Sequence, residues 1–256
     1  MKISDILEYI NVISPLSLAE SYDNVGLLVG SGENEVTGIA TCLDITNKIV
    51  DEAIAKEANL IVSHHPVIFH GLKSVPAESP VYRMIANGIS AICIHTNFDI
   101  TEGGVNDTLL ELLGFAGCGV VEPIHPNGLG FGAVCDLELG FTPKALAEHC
   151  KQVLYAEDVR YCGSSELEIK RVAVVSGSGG SLLGLAREKG CQALITGDIK
   201  HDVWIEAHNT GMALIDAGHF GTEKCASHRI AALLSRSFPS VPVFACESEK
   251  YPFKCV

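Results

Sequence analysis

The strongest constraint on this chain is a strand–helix–strand pattern that occurs twice in the same order. In the first half, "GIATCLD" (38–44) reads as a strand and "NKIVDEAIAKEA" (47–58) as an amphipathic helix. "LIVS" (60–63) follows as a strand, "PVYRMIANG" (80–88) as a helix and "ISAICIH" (89–95) as a strand, before a further helix at "GGVNDTLLELLG" (103–114). In the second half "RVAVVSG" (171–177), "SLLGLAREKG" (181–190) and "ALIT" (193–196) match the first three elements without a gap. Ile39 falls on Val172 and Ser63 on Thr196, both at an offset of 133 positions. "WIEAHNTGMALIDAG" (204–218) then lies on "VYRMIANGISAICIH" (81–95) at an offset of 123, with Gly88 over Gly211. Two units of this kind match through common ancestry or through patterning alone. Either way, short apolar strands alternating with helices predict an α/β protein of two layered α/β/α domains of partly similar topology. The boundary is expected near "VVEPIHPNG" (120–128), giving domains of 1–125 and 126–256.

Open α/β sheets collect ligands at the carboxyl ends of their strands. Four such ends are "SHHP" (63–66), "HTNFD" (95–99), "TGDIKHD" (196–202) and "DAGHFGTEK" (216–224), each rich in His, Asp or Glu. Zn, Mn, Fe and Ni all accept imidazole nitrogen and carboxylate oxygen, and need several ligands to converge. His64, His65, Asp99, His219 and Glu223 can supply them. Side chains of neighbouring residues on an extended backbone face apart, and Pro66 keeps His65 out of the helical region. The two imidazoles therefore suit two different ions, with Glu223 or Asp99 as the bridge. If "HFGTEKCASHRIAALL" opens a helix, His219 and Glu223 share one face. Two ions about 3.5–4 Å apart support hydrolytic chemistry. The plainer alternative is a polar cleft with structural, hydrogen-bonded histidines.

The remaining features carry less. A net charge of −13 disfavours a sequence-independent grip on nucleic acid or on an anionic membrane. The N-terminal stretch carries Asp5, Glu8 and Glu20 and lacks the apolar core of a targeting peptide. No apolar run reaches membrane-spanning length. Ten scattered cysteines without a C-x-x-C, several inside apolar runs, fit free buried thiols in a reducing compartment. These readings together predict a cytoplasmic protein. "SGSGGS" (176–181) is either a tight turn or a set of amides that could hold phosphate at a helix start, without the Lys-Ser/Thr of a P-loop. "NGLGFG" (127–132) reads as a hairpin turn or a substrate-facing loop. His70 and Lys73 could face an anionic substrate or stand in a solvated loop. His201 and Asp202 could serve acid–base chemistry or open an exposed helix, while His125, His149, His208 and His228 read as structural or solvent-facing.

Taken in order, "SYDNVGLLVG", "SHHPVIFHGLKSV", "HTNFDITEGGVNDTLLELLG", "SGSGGS", "TGDIKHDVWIEA" and "LIDAGHFGTEK" resemble the NGG-interacting-factor-three-like family. Its bacterial members are labelled GTP cyclohydrolase 1 type 2 homologs. The resemblance runs from the first helix to the last strand. It implies a metal site in the cleft between two α/β domains, with two divalent ions per chain (Zn, Fe or Mn). It implies assembly as a homohexamer and carries the metal positions onto His64, His65, Asp99, His219 and Glu223. The activity it implies is hydrolytic opening of the guanine imidazole ring of GTP, a small nucleotide substrate, with His201 as a candidate proton shuttle. Phe131 stands where the family often has arginine, so substrate recognition by that stretch is open. The rival readings are a metal-dependent phosphoester hydrolase and a non-catalytic metal-binding protein whose function is its ring-like assembly.

Overall fold

In the computed structural model, which describes residues 1–255, the chain divides into two compact units. One comprises Met1–Thr101 with Lys224–Lys250, and the other Glu102–Glu223 with Tyr251 onward. This differs from a single cut after residue 125. The chain first crosses at Thr101–Glu102, returns at Glu223–Lys224 and leaves again after Lys250. Hydrophobic periodicity cannot show such a return, because the returning helix and strand look like any others.

The first unit contains helix α1 (Ile3–Ile13), strands β1 (Gly26–Val29) and β2 (Ile39–Cys42), and helix α2 (Asn47–Ala55). Strand β3 (Leu60–Ser63), helix α3 (Pro80–Ala86), strand β4 (Ser90–Cys93) and the short helix α4 (Thr96–Ile100) follow. Local chemistry starts the two middle helices. The Thr46 hydroxyl accepts from the Ile49 amide, and Ser79 does the same for Tyr82 ahead of Pro80 at the first turn.

The second unit runs through α5 (Val105–Leu113), β5 (Gly117–Pro123), β6 (Gly130–Phe141), α6 (Pro143–Val153), β7 (Arg160–Cys162) and β8 (Ile169–Val174). It continues with α7 (Leu183–Glu188), β9 (Ala193–Thr196), α8 (His201–Thr210), β10 (Ala213–Asp216) and α9 (His219–Glu223). Helix α10 (Cys225–Ser237) and strand β11 (Val243–Ala245) belong to the first unit.

The sheet orders are β1-β4-β3-β2-β11 and β5-β6-β8-β9-β10-β7. Within them the repeat holds residue by residue. Ile39 pairs with Leu60 in parallel, and Val172 with Ala193; Leu60 pairs with Ser90, and Ala193 with Ala213. Each partner in the second set is the one that the offsets of 133 and 123 select. In both units an antiparallel strand closes the edge beyond the third core strand, β1 on β4 and β7 on β10.

Successive side chains of a strand buried on both faces feed two cores. Val172, Val174, Ile195 and Ile215 pack with Leu146 and Cys150 of α6 on one side of the second sheet. Ala173, Leu194 and Leu214 pack with Leu183, Ala186 and Ala207 on the other. In the first unit Ala40, Ile61 and Ala91 meet Ile49, Ala53 and Met84. On the first sheet's opposite face α10 is tied down by the Thr41 hydroxyl, which donates to the Ser227 carbonyl at 2.7 Å. All ten cysteines are free, and seven are buried. Among the described residues, no helix is long and apolar enough to cross a membrane.

Candidate functional site

The ends of β3 and β4 carry the first group of candidate ligands. His64 and His65 leave β3 extended, with the His64 amide donating to the Cys42 carbonyl at 3.0 Å and the His65 amide to the Leu43 carbonyl at 2.9 Å. His64 is fully buried. Its Nδ1 lies 2.9 Å from the Ile94 carbonyl oxygen and its Nε2 3.4 Å from Oδ1 of Asp99, which α4 presents. Nδ1 of His65 lies 2.8 Å from Oδ1 of Asp44, at the end of β2. A third imidazole, His95, joins them: ring centroids lie 5.2 Å from His64 and 5.3 Å from His65. His64, His65 and His95 each offer a nitrogen within 4.8 Å of the others. Nδ1 of His95 is 2.9 Å from Oδ1 of Asp23. The Thr96 amide and hydroxyl donate to the other oxygen of Asp23. Burial acts to raise the Asp23 pKa but is outweighed by His95 and Thr96, which hold the carboxyl well below the usual range.

The second unit carries the other group. His219 and Glu223 are one turn apart on α9, with His219 Nε2 2.8 Å from Glu223 Oε2. His219 Nδ1 lies 2.7 Å from Oδ2 of Asp198, just beyond β9. Gly177, with φ of +63°, lets the 176–181 turn pass over this pair; a Cβ there would lie 2.1 Å from Glu223 Oε1.

One pattern recurs at all four histidines. A carbonyl or carboxylate oxygen has no proton to give, so each Nδ1 is the donor and the proton sits there. That fixes the tautomer and leaves Nε2 as a lone pair. Outer-lying oxygens holding Nδ1–H are the usual supports of metal-binding imidazoles. In two of the four, this electron-rich Nε2 faces a carboxylate oxygen, at 2.8 Å for His219 and 3.4 Å for His64. Two lone-pair donors so close need a shared cation, either a proton or a metal. The donor set therefore fits a divalent metal. Each of the five residues expected from the sequence lies in a group of His, Asp and Glu side chains able to hold a metal ion.

The structure also settles several smaller expectations. The 176–181 segment spends three of its amides inside the protein: Ser176 on Asn106, Gly177 on Thr222 and Gly179 on Thr196. That is the tight-turn reading. Residues 124–129 form the turn of the β5–β6 hairpin, closed by the Ile124 and His125 amides on the Leu129 carbonyl. Phe131 lies on β6, partly buried and packed against the hydrophobic core that includes Val121, Val134 and Val175, a packing role. His70 and Lys73 stand exposed, and His201 is the exposed first residue of α8. His149 is structural: Nε2 donates to the Leu113 carbonyl at 2.8 Å and the ring stacks on Phe115. Sequence reasoning missed His95 and the three carboxylates Asp23, Asp44 and Asp198. His95 and Asp198 lie inside strand-end segments already singled out, so their position was a usable signal. Asp23 and His95 are 72 residues apart, and no spacing rule links them.

Comparison with known proteins agrees with this architecture. The model of the Duf34/NIF3 (NGG1p interacting factor 3) family matches residues 1–252. A GTP cyclohydrolase 1 type 2 homolog of Clostridium acetobutylicum is 33% identical over 264 residues, covering 99% of this chain and 98% of that protein. The corresponding Clostridium perfringens protein is 33% identical over 263 residues, with full coverage of both. The crystal structure of Staphylococcus aureus protein SA1388 superimposes with a TM-score of 0.92 at 30% identity, covering 100% of this chain and 99% of that one.

Proposed function

Since the chain belongs to the Duf34/NIF3 family, we propose that it is a metal-dependent hydrolase with two divalent ions, Zn, Fe or Mn. The ligands are His64, His65, Asp99, His219 and Glu223, and the substrate is GTP, whose guanine imidazole ring is opened. The observation that carries the reading is the shared state of the histidines, each with Nδ1 held by an oxygen, and with Nε2 of His64 and His219 facing a carboxylate oxygen.

Divalent ions in such a site lower the pKa of water and stabilise developing negative charge. The chain's own groups supply the rest. Asp44 and Asp198 orient the imidazoles of His65 and His219. His95, with Nδ1 held by the ionised Asp23, can take a proton at Nε2, as a histidine backed by a buried carboxylate does in other hydrolases. This role fits His95 better than the exposed His201. Addition of water at C8 followed by ring opening and hydrolysis releases formate. The named relatives share a label that points to this reaction.

The test is turnover of GTP by the reconstituted protein, followed by loss of the H8 proton signal and appearance of formate in the NMR spectrum. Formate release supports the proposal. Phosphate release with H8 intact replaces it with phosphoester hydrolysis. No turnover under Zn, Fe, Mn or Mg leaves a metal-binding assembly protein. Homohexamer formation and a cytoplasmic location belong to the same proposal; sizing by light scattering and cell fractionation test them.

A further inference from the structure

We infer that the C-terminal segment 246–253 is a strap that positions the metal-holding histidines of both units, Glu249 acting on His65 and Tyr251 on His219. The inference rests on the metal reading above but has its own observations. After β11, the Cys246 amide donates to the Thr41 carbonyl at 2.9 Å. The amides of Glu247 and Ser248 donate to the two oxygens of Glu52 at 3.0 and 2.8 Å. These bonds fasten the segment to the first unit. Glu249 then turns its carboxylate onto the end of β2, where one oxygen accepts from the amides of Leu43 and Asp44. A chain leaving a strand has amides with no ladder partner, and a buried one needs an acceptor. Leu43 is 1% exposed, and here the acceptor comes from a residue more than 200 positions away.

The turn so fixed carries both holds on His65. The Leu43 carbonyl accepts its amide, and Oδ1 of Asp44 accepts its Nδ1–H. Burial raises the Glu249 carboxyl to about 7, against the lowering effect of the Leu43 amide, the Ser227 side chain and the Asp44 amide. An acceptor oxygen is present in either protonation state, so glutamine is a fair isostere.

Two residues on, in the second unit, the ring of Tyr251 packs on Phe220 with centroids 4.7 Å apart at 60°. Its hydroxyl lies 3.1 Å from where a Cβ on Gly221 would stand. Phe220 and Gly221 are two of the three residues of α9 between His219 and Glu223. A five-residue helix has little stability of its own, so its ligand geometry depends on what packs against it. Glu249 and Tyr251 are separated only by Lys250, so one short stretch touches the support of both ligand groups.

The strap is tested in the full-length chain by Glu249→Ala, Glu249→Gln, Tyr251→Ala and Tyr251→Phe. Imidazole nitrogen–proton correlation spectra read His65 and His219 in the metal-free protein, and competition titration reads Zn(II) affinity. Loss of such outer support weakens binding by about 10-fold. Glu249→Ala is expected to do so while shifting the His65 signals and leaving those of His219 in place. Tyr251→Ala is expected to do the reverse. Glu249→Gln and Tyr251→Phe should stay within about threefold of wild type, because the acceptor and the ring remain. If Glu249→Ala does not fold, Glu249→Asp, which keeps the charge and shortens the reach, should give the same His65 signature. Alanine variants with wild-type imidazole signals and Zn(II) affinity overturn the inference. So does an equal shift of both histidines with a lowered melting temperature, the mark of general loosening. A wild-type protein that binds no Zn(II) defeats the metal reading alone, because the metal-free spectra still report the strap.

Discussion

Gly177→Ala tests how the Glu223 carboxylate is held. Gly177 has φ of +63°, and an alanine there costs about 1–2 kcal/mol for left-handed backbone alone. The new Cβ would also stand 2.1 Å from Glu223 Oε1, 2.9 Å from Cδ and 3.3 Å from His219 Nε2. The turn cannot retreat freely, because the Gly177 amide donates to Thr222 at 3.0 Å and its carbonyl accepts from Gly197 at 2.8 Å. The carboxylate, whose side chain is 5% exposed, must move instead. Disturbing an outer support of a metal ligand costs about 10–100-fold in affinity, and displacing the ligand itself costs at least the upper figure. Gly211→Ala separates the two effects. Gly211 also has positive φ (+73°) but no atom within 4 Å of its added Cβ. Zn(II) competition titration alongside urea unfolding should show both variants destabilised by about 1–2 kcal/mol, with Zn(II) binding impaired only in Gly177→Ala. Wild-type Zn(II) affinity in that variant would refute the placement of Glu223 as a ligand beside the turn.

Other consequences follow from the same contacts. Asp44→Ala and Asp198→Ala each remove the oxygen that fixes an imidazole, and should weaken Zn(II) binding by about 10–100-fold without loss of fold by circular dichroism. Phe131→Ala should lower stability by about 2–3 kcal/mol in urea titration while leaving metal content unchanged, since its partly buried ring packs against the core of the second unit. Burial acts to raise the Glu52 pKa but is outweighed by Lys56 and the amides of Glu247 and Ser248, which lower it to about 2. A depressed carboxyl contributes stability that is complete above its ordinary value of 4.5 and fades as pH falls through 2. Glu52→Gln should therefore flatten the acid limb of the stability profile between those values; an unchanged slope would count against the pairing.

Much of the fold is legible in the sequence because strands buried on both faces need continuous apolar runs, and crossover helices need an apolar stripe. The repeat offsets even select the strand registers, Ile39 with Leu60 and Val172 with Ala193. The division into units is not legible. Helix α10 carries an ordinary amphipathic pattern, and nothing local says that it packs on β2 rather than on the sheet it follows.

The candidate ligand positions are legible because strand ends are where side chains can converge without breaking a ladder. Their supports divide in an instructive way. Under the repeat, His65 and Asp198 occupy equivalent positions at the ends of β3 and β9. One half places an imidazole there, and the other the carboxylate that orients His219. Asp44 and Gly177 are likewise equivalent: one holds His65, and the other leaves room for Glu223. Residue type alone could not reveal those roles, because they depend on which atom faces which across the sheet. Glu249 and Tyr251 were beyond reach for the same reason, as ordinary residues in a tail.

The central claim is that His64, His65, Asp99, His219 and Glu223 together hold two ions. The most direct measurement is the number of divalent ions bound per chain after removal of all metal and reconstitution with Zn(II), in wild type and in Glu223→Ala. Two ions per wild-type chain, with fewer retained by the variant, is the predicted result. One ion or none per wild-type chain would contradict it.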